Sequence, residues 1–156
     1  MRRAIFLAAA AALAFAACNG EDRDMDKPAI TTEGITASPS ECDSYERGDT
    51  IRFCYRMTDN MELGNFNIEV HGNHDHHTHS TSDIECEHEG EEEHHDAENP
   101  WVFNQDYQIP DGLRDYTAHV DIAIPTDVDP GDYHFMIRLT DKAGWQEIRS
   151  VAIELE

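Results

Sequence analysis

The sequence predicts an all-β fold, an antiparallel β-sandwich, and three observations lead to this prediction. Several short segments alternate apolar and polar residues with a period of two, which is the periodicity of half-buried strands. Turn-forming residues separate these segments, and no segment between them carries a convincing helical pattern. Short strands that follow one another without intervening helices favour antiparallel pairing and two facing sheets.

The first two strands are predicted over residues 50–57 and 65–71. A turn at residues 58–60 separates them, since Thr-Asp-Asn breaks the alternation. The second strand ends with His71 on the outward face. The inward residues of the two strands are Ile51, Phe53, Tyr55, Met57, Phe66, Ile68 and Val70.

Three further strands are predicted over residues 116–124, 133–140 and 146–155. The first ends at Pro125, and turns at residues 129–132 and 141–144 separate the others. In the strand over residues 133–140 the alternation places His134 outward. The inward residues of the first two are Ala118, Val120, Ile122, Ile124, Tyr133, Phe135, Ile137 and Leu139.

Residues 1–17 have the pattern of a secretory signal peptide, in which two arginines precede an apolar run. That run is shorter than the roughly 20 residues that a membrane span needs. Residues 15–18, Phe-Ala-Ala-Cys, resemble a bacterial lipobox, which implies that Cys18 is lipidated and becomes the mature N-terminus. Phe15 departs from the leucine usual there, and ordinary signal-peptidase cleavage after residues 14–16 is the alternative. Residues 18–29 are then an acidic tether and residues 30–156 the folded domain.

This leader predicts a lipid-anchored protein of the bacterial cell envelope. Asn19 stands where an aspartate commonly retains lipoproteins at the inner membrane, so the resemblance implies the outer membrane. The formal net charge of −22 excludes nucleic acid as a partner and favours the accumulation of cations.

Three cysteines follow Cys18, namely Cys42, Cys54 and Cys86. In an exported protein this odd number predicts one disulfide and one free cysteine, without deciding which two pair. Cys86 is the expected partner of either Cys42 or Cys54. Such a bond would tie the middle of the chain to the domain and limit its conformational entropy.

The segment over residues 72–100 is rich in histidine and acidic residues and is predicted to be a long loop. Imidazole nitrogen is a ligand suited to Zn²⁺, Cu²⁺ or Ni²⁺, so closely spaced histidines are candidate ligands. A solvated loop without a specific ligand is the alternative. The first cluster is His74, His76, His77 and His79, and a second, weaker cluster is Cys86, His88, His94 and His95.

Residues 131–145, GDYHFMIRLTDKAGW, resemble the penultimate strand and following turn of bacterial immunoglobulin-like domains. The whole layout is also similar to an uncharacterised family of bacterial envelope lipoproteins, in which a histidine-rich loop follows an Ile-x-x-His strand, here Ile68 to His71. These resemblances imply an immunoglobulin-like antiparallel β-sandwich with the loop inserted after the third strand. With that connectivity the strand ending at His71 pairs with the strand beginning at Tyr133, which brings His71 and His134 together at the root of the loop.

The sequence is compatible with two functions. The favoured hypothesis is a non-enzymatic lipoprotein that binds zinc, copper or nickel as a buffer, a sink, or a carrier that feeds an outer-membrane transporter. The alternative is an adhesion or complex-assembly module whose loop is only solvated surface. No catalytic residues are predicted, because the zinc-protease motif and the Gly-rich phosphate loop are both missing from the sequence. The predicted metal ligands are His71, His74, His76, His77, His79 and His134.

Overall fold

The computed structural model describes residues 23–73, 86 and 98–156. This part of the chain contains eight β-strands and no helix. No membrane-spanning helix is found in it. The strands are β1 (Ala29–Thr31), β2 (Asp43–Tyr45), β3 (Thr50–Thr58), β4 (Leu63–Gly72), β5 (Phe103–Gln108), β6 (Asp115–Ala123), β7 (Gly131–Asp141) and β8 (Gln146–Leu155).

The strands form two sheets, consistent with a β-sandwich. One sheet has three strands in the order β1-β3-β6, and the other has five in the order β2-β8-β7-β4-β5. Every pair of strands is antiparallel except β2 and β8, which run parallel. The larger sheet is therefore mixed, whereas the alternation predicted an antiparallel fold. The difference arises from β2, a three-residue strand too short to show a period.

The core lies between the two sheets and is centred on aromatic side chains. Phe53 of β3 stacks on Phe66 of β4 and on Phe135 of β7, with ring centroids 5.9 Å apart in both cases. All three side chains are buried. Since β3 belongs to one sheet and β4 and β7 to the other, these contacts join the two sheets.

The five predicted strands correspond to β3, β4, β6, β7 and β8, with ends that differ by at most two residues. Three strands were not predicted. Two of these, β1 and β2, have three residues each. The third, β5, is an edge strand with mostly exposed residues, so its sequence carries little apolar alternation. Because β1 and β2 precede β3, the strand before the histidine-rich segment is the fourth in chain order.

Asp24, which the sequence assigned to the acidic tether, contacts the folded domain. Asp24 is only 8 % exposed. The Trp145 indole Nε1 donates a hydrogen bond to the Asp24 backbone oxygen at 3.1 Å, and the Asn60 amide donates to Asp24 Oδ1 at 3.0 Å. These bonds dock the segment on the turns at one end of the sandwich. The polar composition that suggested a tether therefore serves specific contacts.

Tyr133 fixes the start of β7. Its hydroxyl donates a hydrogen bond to the Asp129 backbone oxygen at 2.7 Å and accepts one from the Trp101 backbone N–H at 3.1 Å. Burial raises the pKa of the Tyr133 phenol, so it remains a neutral donor at physiological pH. The hydroxyl thus joins Trp101, which precedes β5, to the turn before β7, on the core side of the strand that carries His134.

Candidate metal centre

The antiparallel register of β4 and β7 places His71 directly opposite His134. Their ring centroids are 5.6 Å apart and their planes are inclined by 55°. Two imidazoles that bind one ion have ring centres about 5–6 Å apart, because each ligating nitrogen lies about 2.0–2.1 Å from zinc. The strands therefore hold the two rings at a separation suited to a shared ion.

Glu69 lies on the same face of β4 as His71, two residues earlier. The carboxylate Oε1 of Glu69 is 3.4 Å from His71 Nδ1, and both side chains are partly exposed. A carboxylate that accepts a hydrogen bond from one imidazole nitrogen fixes the ring and its tautomer, which is a common arrangement behind metal-binding histidines. With Glu69 in this role, His71 Nε2 would be the nitrogen that faces an ion.

His134 lies on the outward face of its sheet, as the alternation predicted, but it is only 5 % exposed. Its neighbours in β7, Tyr133 and Phe135, face the core and belong to the buried apolar cluster. The next strand shows the same feature, since Ser150 and Ala152 are buried on the outward face while Val151 faces the core. This end of the outward face is therefore shielded from solvent. The local dielectric around His134 is lower than around an exposed strand residue.

A disulfide links Cys42 to Cys86, with their Cα atoms 5.5 Å apart. Of the two pairings that the sequence left open for Cys86, the structure therefore has the one with Cys42. Cys54 keeps a free thiol and is half-buried on β3.

The disulfide lies in the same row across the sheet as the histidine pair. The Cys42 backbone N–H donates a hydrogen bond to the Ala152 oxygen at 2.8 Å. Ala152 is opposite His134, and His134 is opposite His71. The residues that flank the segment over residues 74–85 thus lie on either side of His134, with Asn73 directly after β4 and Cys86 beside β8.

The other predicted site residues lie outside the described residues. They are His74, His76, His77 and His79 of the first cluster, His88, His94 and His95 of the second, and the lipidation site Cys18. Those residues therefore remain predictions from the sequence. His119 is exposed on β6 in the other sheet.

The structure also brings together three carboxylates that the sequence did not group. Asp24, Asp59 and Asp141 each offer a carboxylate oxygen, and these oxygens lie within 4.8 Å of one another. The sequence assigned them to a tether and to two separate turns. The only signal was an aspartate in each of these three segments, and nothing in the sequence shows that the segments meet.

The protein is therefore an all-β domain of two sheets, with a pair of candidate metal-binding histidines at one end. The chain belongs to the family described as domain of unknown function DUF4625, which it matches over residues 16–156. No curated protein matches the sequence.

Proposed function

We propose that this chain is a non-enzymatic, lipid-anchored protein of the cell envelope that binds Zn²⁺, Cu²⁺ or Ni²⁺. The ligands are His71 and His134 together with histidines among residues 74–79. The observation that carries the proposal is the 5.6 Å separation of the two strand-borne rings, at the point where the histidine-rich segment leaves β4. The two rings are held by rigid strands, so the segment has to supply only one or two further ligands.

The surroundings of the pair support transition-metal binding. Glu69 beside His71 Nδ1 can hold the ring with Nε2 directed at an ion. The covered position of His134 lowers the local dielectric, which strengthens the attraction between an ion and its ligands. The net charge of −22 raises the concentration of cations near the surface.

We infer further that the sandwich is immunoglobulin-like. In such domains a tyrosine near the start of the penultimate strand donates to a backbone oxygen a few residues upstream, as Tyr133 does to Asp129. The order β8-β7-β4 in the larger sheet corresponds to the order of the last, the penultimate and the third principal strand in that fold. Both observations support the connectivity that the sequence resemblance implied.

The disulfide supports a location beyond the cytoplasm, since such bonds persist in oxidising compartments. With the predicted lipid anchor at Cys18, the protein would stand at a membrane surface, in the outer membrane by resemblance. In that position it would act as a metal buffer, as a sink, or as a carrier that supplies an outer-membrane transporter.

Calorimetric titration of the mature chain with Zn²⁺ and with Cu²⁺ tests this function, on protein purified without an affinity tag. We expect His71→Ala combined with His134→Gln to weaken binding at least tenfold, because both strand-borne ligands are lost. Changing His76, His77 and His79 to alanine should weaken it similarly. His119→Ala is the matched control and should bind like the unchanged protein, because His119 is exposed on the other sheet.

Equal metal uptake by the unchanged protein and by the His71/His134 variant would contradict the proposal. It would favour the alternative, an adhesion or complex-assembly module. Because His134 is buried, urea unfolding of each variant should accompany the titrations. Only variants that are folded at the titration temperature are then used to compare metal affinities.

A change at Glu69 tests how the histidine is held. We expect Glu69→Gln to lower the affinity for Zn²⁺ by roughly 10–100-fold, the usual cost of removing a carboxylate behind a metal-binding histidine. Glu147→Gln is the control. Glu147 lies near the start of β8, away from Ala152 and the histidine pair, so this change should leave the affinity unaltered. Unchanged binding by Glu69→Gln would show that the carboxylate does not position His71.

A further inference from the structure

A second candidate cation site lies at the end of the sandwich that carries the β3–β4 and β7–β8 turns. It is formed by Asp24 of the N-terminal segment, Asp59 of the β3–β4 turn and Asp141 at the end of β7. One carboxylate oxygen from each residue lies within 4.8 Å of the others. This site contains no histidine and is built from described residues alone.

Each of the three carboxylates is fixed through one oxygen by its own surroundings. Asp141 Oδ1 accepts hydrogen bonds from the backbone N–H groups of Gly144 and Trp145, at 2.6 and 2.8 Å. Asp59 Oδ2 accepts from the backbone N–H groups of residues 61 and 62, at 2.7 and 2.6 Å. Asp24 Oδ1 accepts from the backbone of residue 26 and from the Asn60 amide, at 3.1 and 3.0 Å. These bonds fix the orientation of each group.

The second carboxylate oxygens of Asp141 and Asp59 are an independent sign that this site takes a ligand. Asp141 is only 4 % exposed, and its Oδ2 is buried without a hydrogen-bond partner among the described residues. Asp59 Oδ1 is likewise buried and without such a partner. Burying a carboxylate oxygen without a partner is costly, and three negative charges at this distance also repel one another. A bound cation would remove both costs.

The basic side chains on the neighbouring turns are engaged elsewhere. Lys142, which follows Asp141 in the chain, pairs through Nζ with Asp111 Oδ1 at 2.6 Å. The Arg114 side chain donates through Nε to the Met61 backbone oxygen at 2.8 Å. Within the described ranges, no salt bridge of a lysine or arginine involves any of the three aspartates.

We propose that Asp24, Asp59 and Asp141 bind a hard divalent cation, and that this cation is Ca²⁺. The donors are all carboxylate oxygens, which suit calcium and not the softer metals that imidazole selects. Calcium binds oxygen at about 2.3–2.6 Å, so two ligands of one ion can be up to about 5 Å apart. Magnesium demands near-ideal octahedral geometry and usually keeps several waters, so a site of three protein carboxylates suits calcium better.

The cation would clamp the N-terminal segment to two turns of the domain. Asp24 lies six residues after Cys18, the predicted lipid anchor. The ion would therefore hold the chain to the domain close to the point where the proposed function places a lipid anchor. This inference does not depend on the histidine pair, which lies in the row of β4 and β7 formed by residues 71 and 134.

Trp145 offers a direct readout of the site. Its indole Nε1 donates to the Asp24 backbone oxygen and its backbone N–H to Asp141 Oδ1. The ring is 38 % exposed, whereas the other tryptophan, Trp101, is buried. Binding of an ion should therefore alter the fluorescence of Trp145 far more than that of Trp101.

The test is a titration of the mature chain with CaCl₂, followed by tryptophan fluorescence and by thermal unfolding. We expect a saturable change with a Kd on the order of 10⁻⁴–10⁻³ M, the range of extracellular calcium modules. Chelation should reverse the change. Asp141→Asn should weaken the binding at least tenfold, and Asp24→Asn should do the same.

Asp121→Asn is the matched control, because it removes one exposed aspartate from β6 in the other sheet. It should bind calcium like the unchanged protein. Asn retains the Oδ1 acceptor that holds the β7–β8 turn, and Asp24→Asn provides a second variant in case Asp141→Asn fails to fold. Calcium binding that persists unchanged in the folded variants, or that is absent from the unchanged protein, would overturn the proposal.

Discussion

Replacing Phe53 by alanine is expected to lower the free energy of unfolding by about 3–5 kcal/mol, the usual cost of removing a buried phenylalanine ring. Phe53 is 1 % exposed and belongs to the three-stranded sheet. Its ring stacks on Phe66 and Phe135 of the five-stranded sheet, so alanine would leave a cavity between the sheets. Urea unfolding followed by circular dichroism measures the change.

Two controls separate the cavity from a general effect of substitution. Phe53→Leu keeps most of the volume and should cost less than about 1.5 kcal/mol. Val102→Ala should change the stability by no more than about 0.5 kcal/mol, because Val102 is 72 % exposed. A cost of Phe53→Ala no greater than that of Val102→Ala would mean that Phe53 does not join the sheets.

Removing the disulfide is expected to have a similarly large effect. Changing Cys42 and Cys86 together to serine should lower the free energy of unfolding by about 4 kcal/mol. The bond joins residues 44 positions apart and restricts the unfolded chain accordingly. Urea unfolding measures the loss, and reducing the unchanged protein with dithiothreitol should reproduce it.

Cys54→Ser is the control for the loss of a thiol. Cys54 is free and half-buried, so this change should cost less than about 1.5 kcal/mol. If Cys54→Ser and the Cys42/Cys86 variant were equally destabilised, the pairing of Cys42 with Cys86 would be in doubt. Free-thiol titration of the unfolded, unreduced protein checks the same point, since it should find Cys54 reactive and Cys42 and Cys86 protected.

The candidate histidine pair could be predicted only in part from local sequence patterns. His71 and His134 could be assigned to strand faces because each lies in a run with clear apolar alternation. Their adjacency also required the pairing of β4 with β7, which came from a family resemblance. The burial of His134 was not predictable, because the alternation describes the core side of a strand and not what covers its other side.

The strands that the sequence missed have a common physical cause. An alternation with a period of two is recognisable only over four or more residues, and β1 and β2 have three residues each. Their positions depend on hydrogen bonds to strands far away in the chain, namely β3 and β8. In β5 only Phe103 and Tyr107 pack against the core, and they are separated by three exposed polar residues.

The sequence by itself determined the five long strands, the all-β class and the acidic charge, because each follows from local composition and alternation. Only the tertiary structure decided the partner of Cys86, the contacts of Asp24 with the folded domain and the meeting of Asp24, Asp59 and Asp141. The three aspartates are 35 and 82 residues apart in the chain. Such contacts depend on which turns the sheet topology brings to the same end of the sandwich, and short-range patterns contain no information about that.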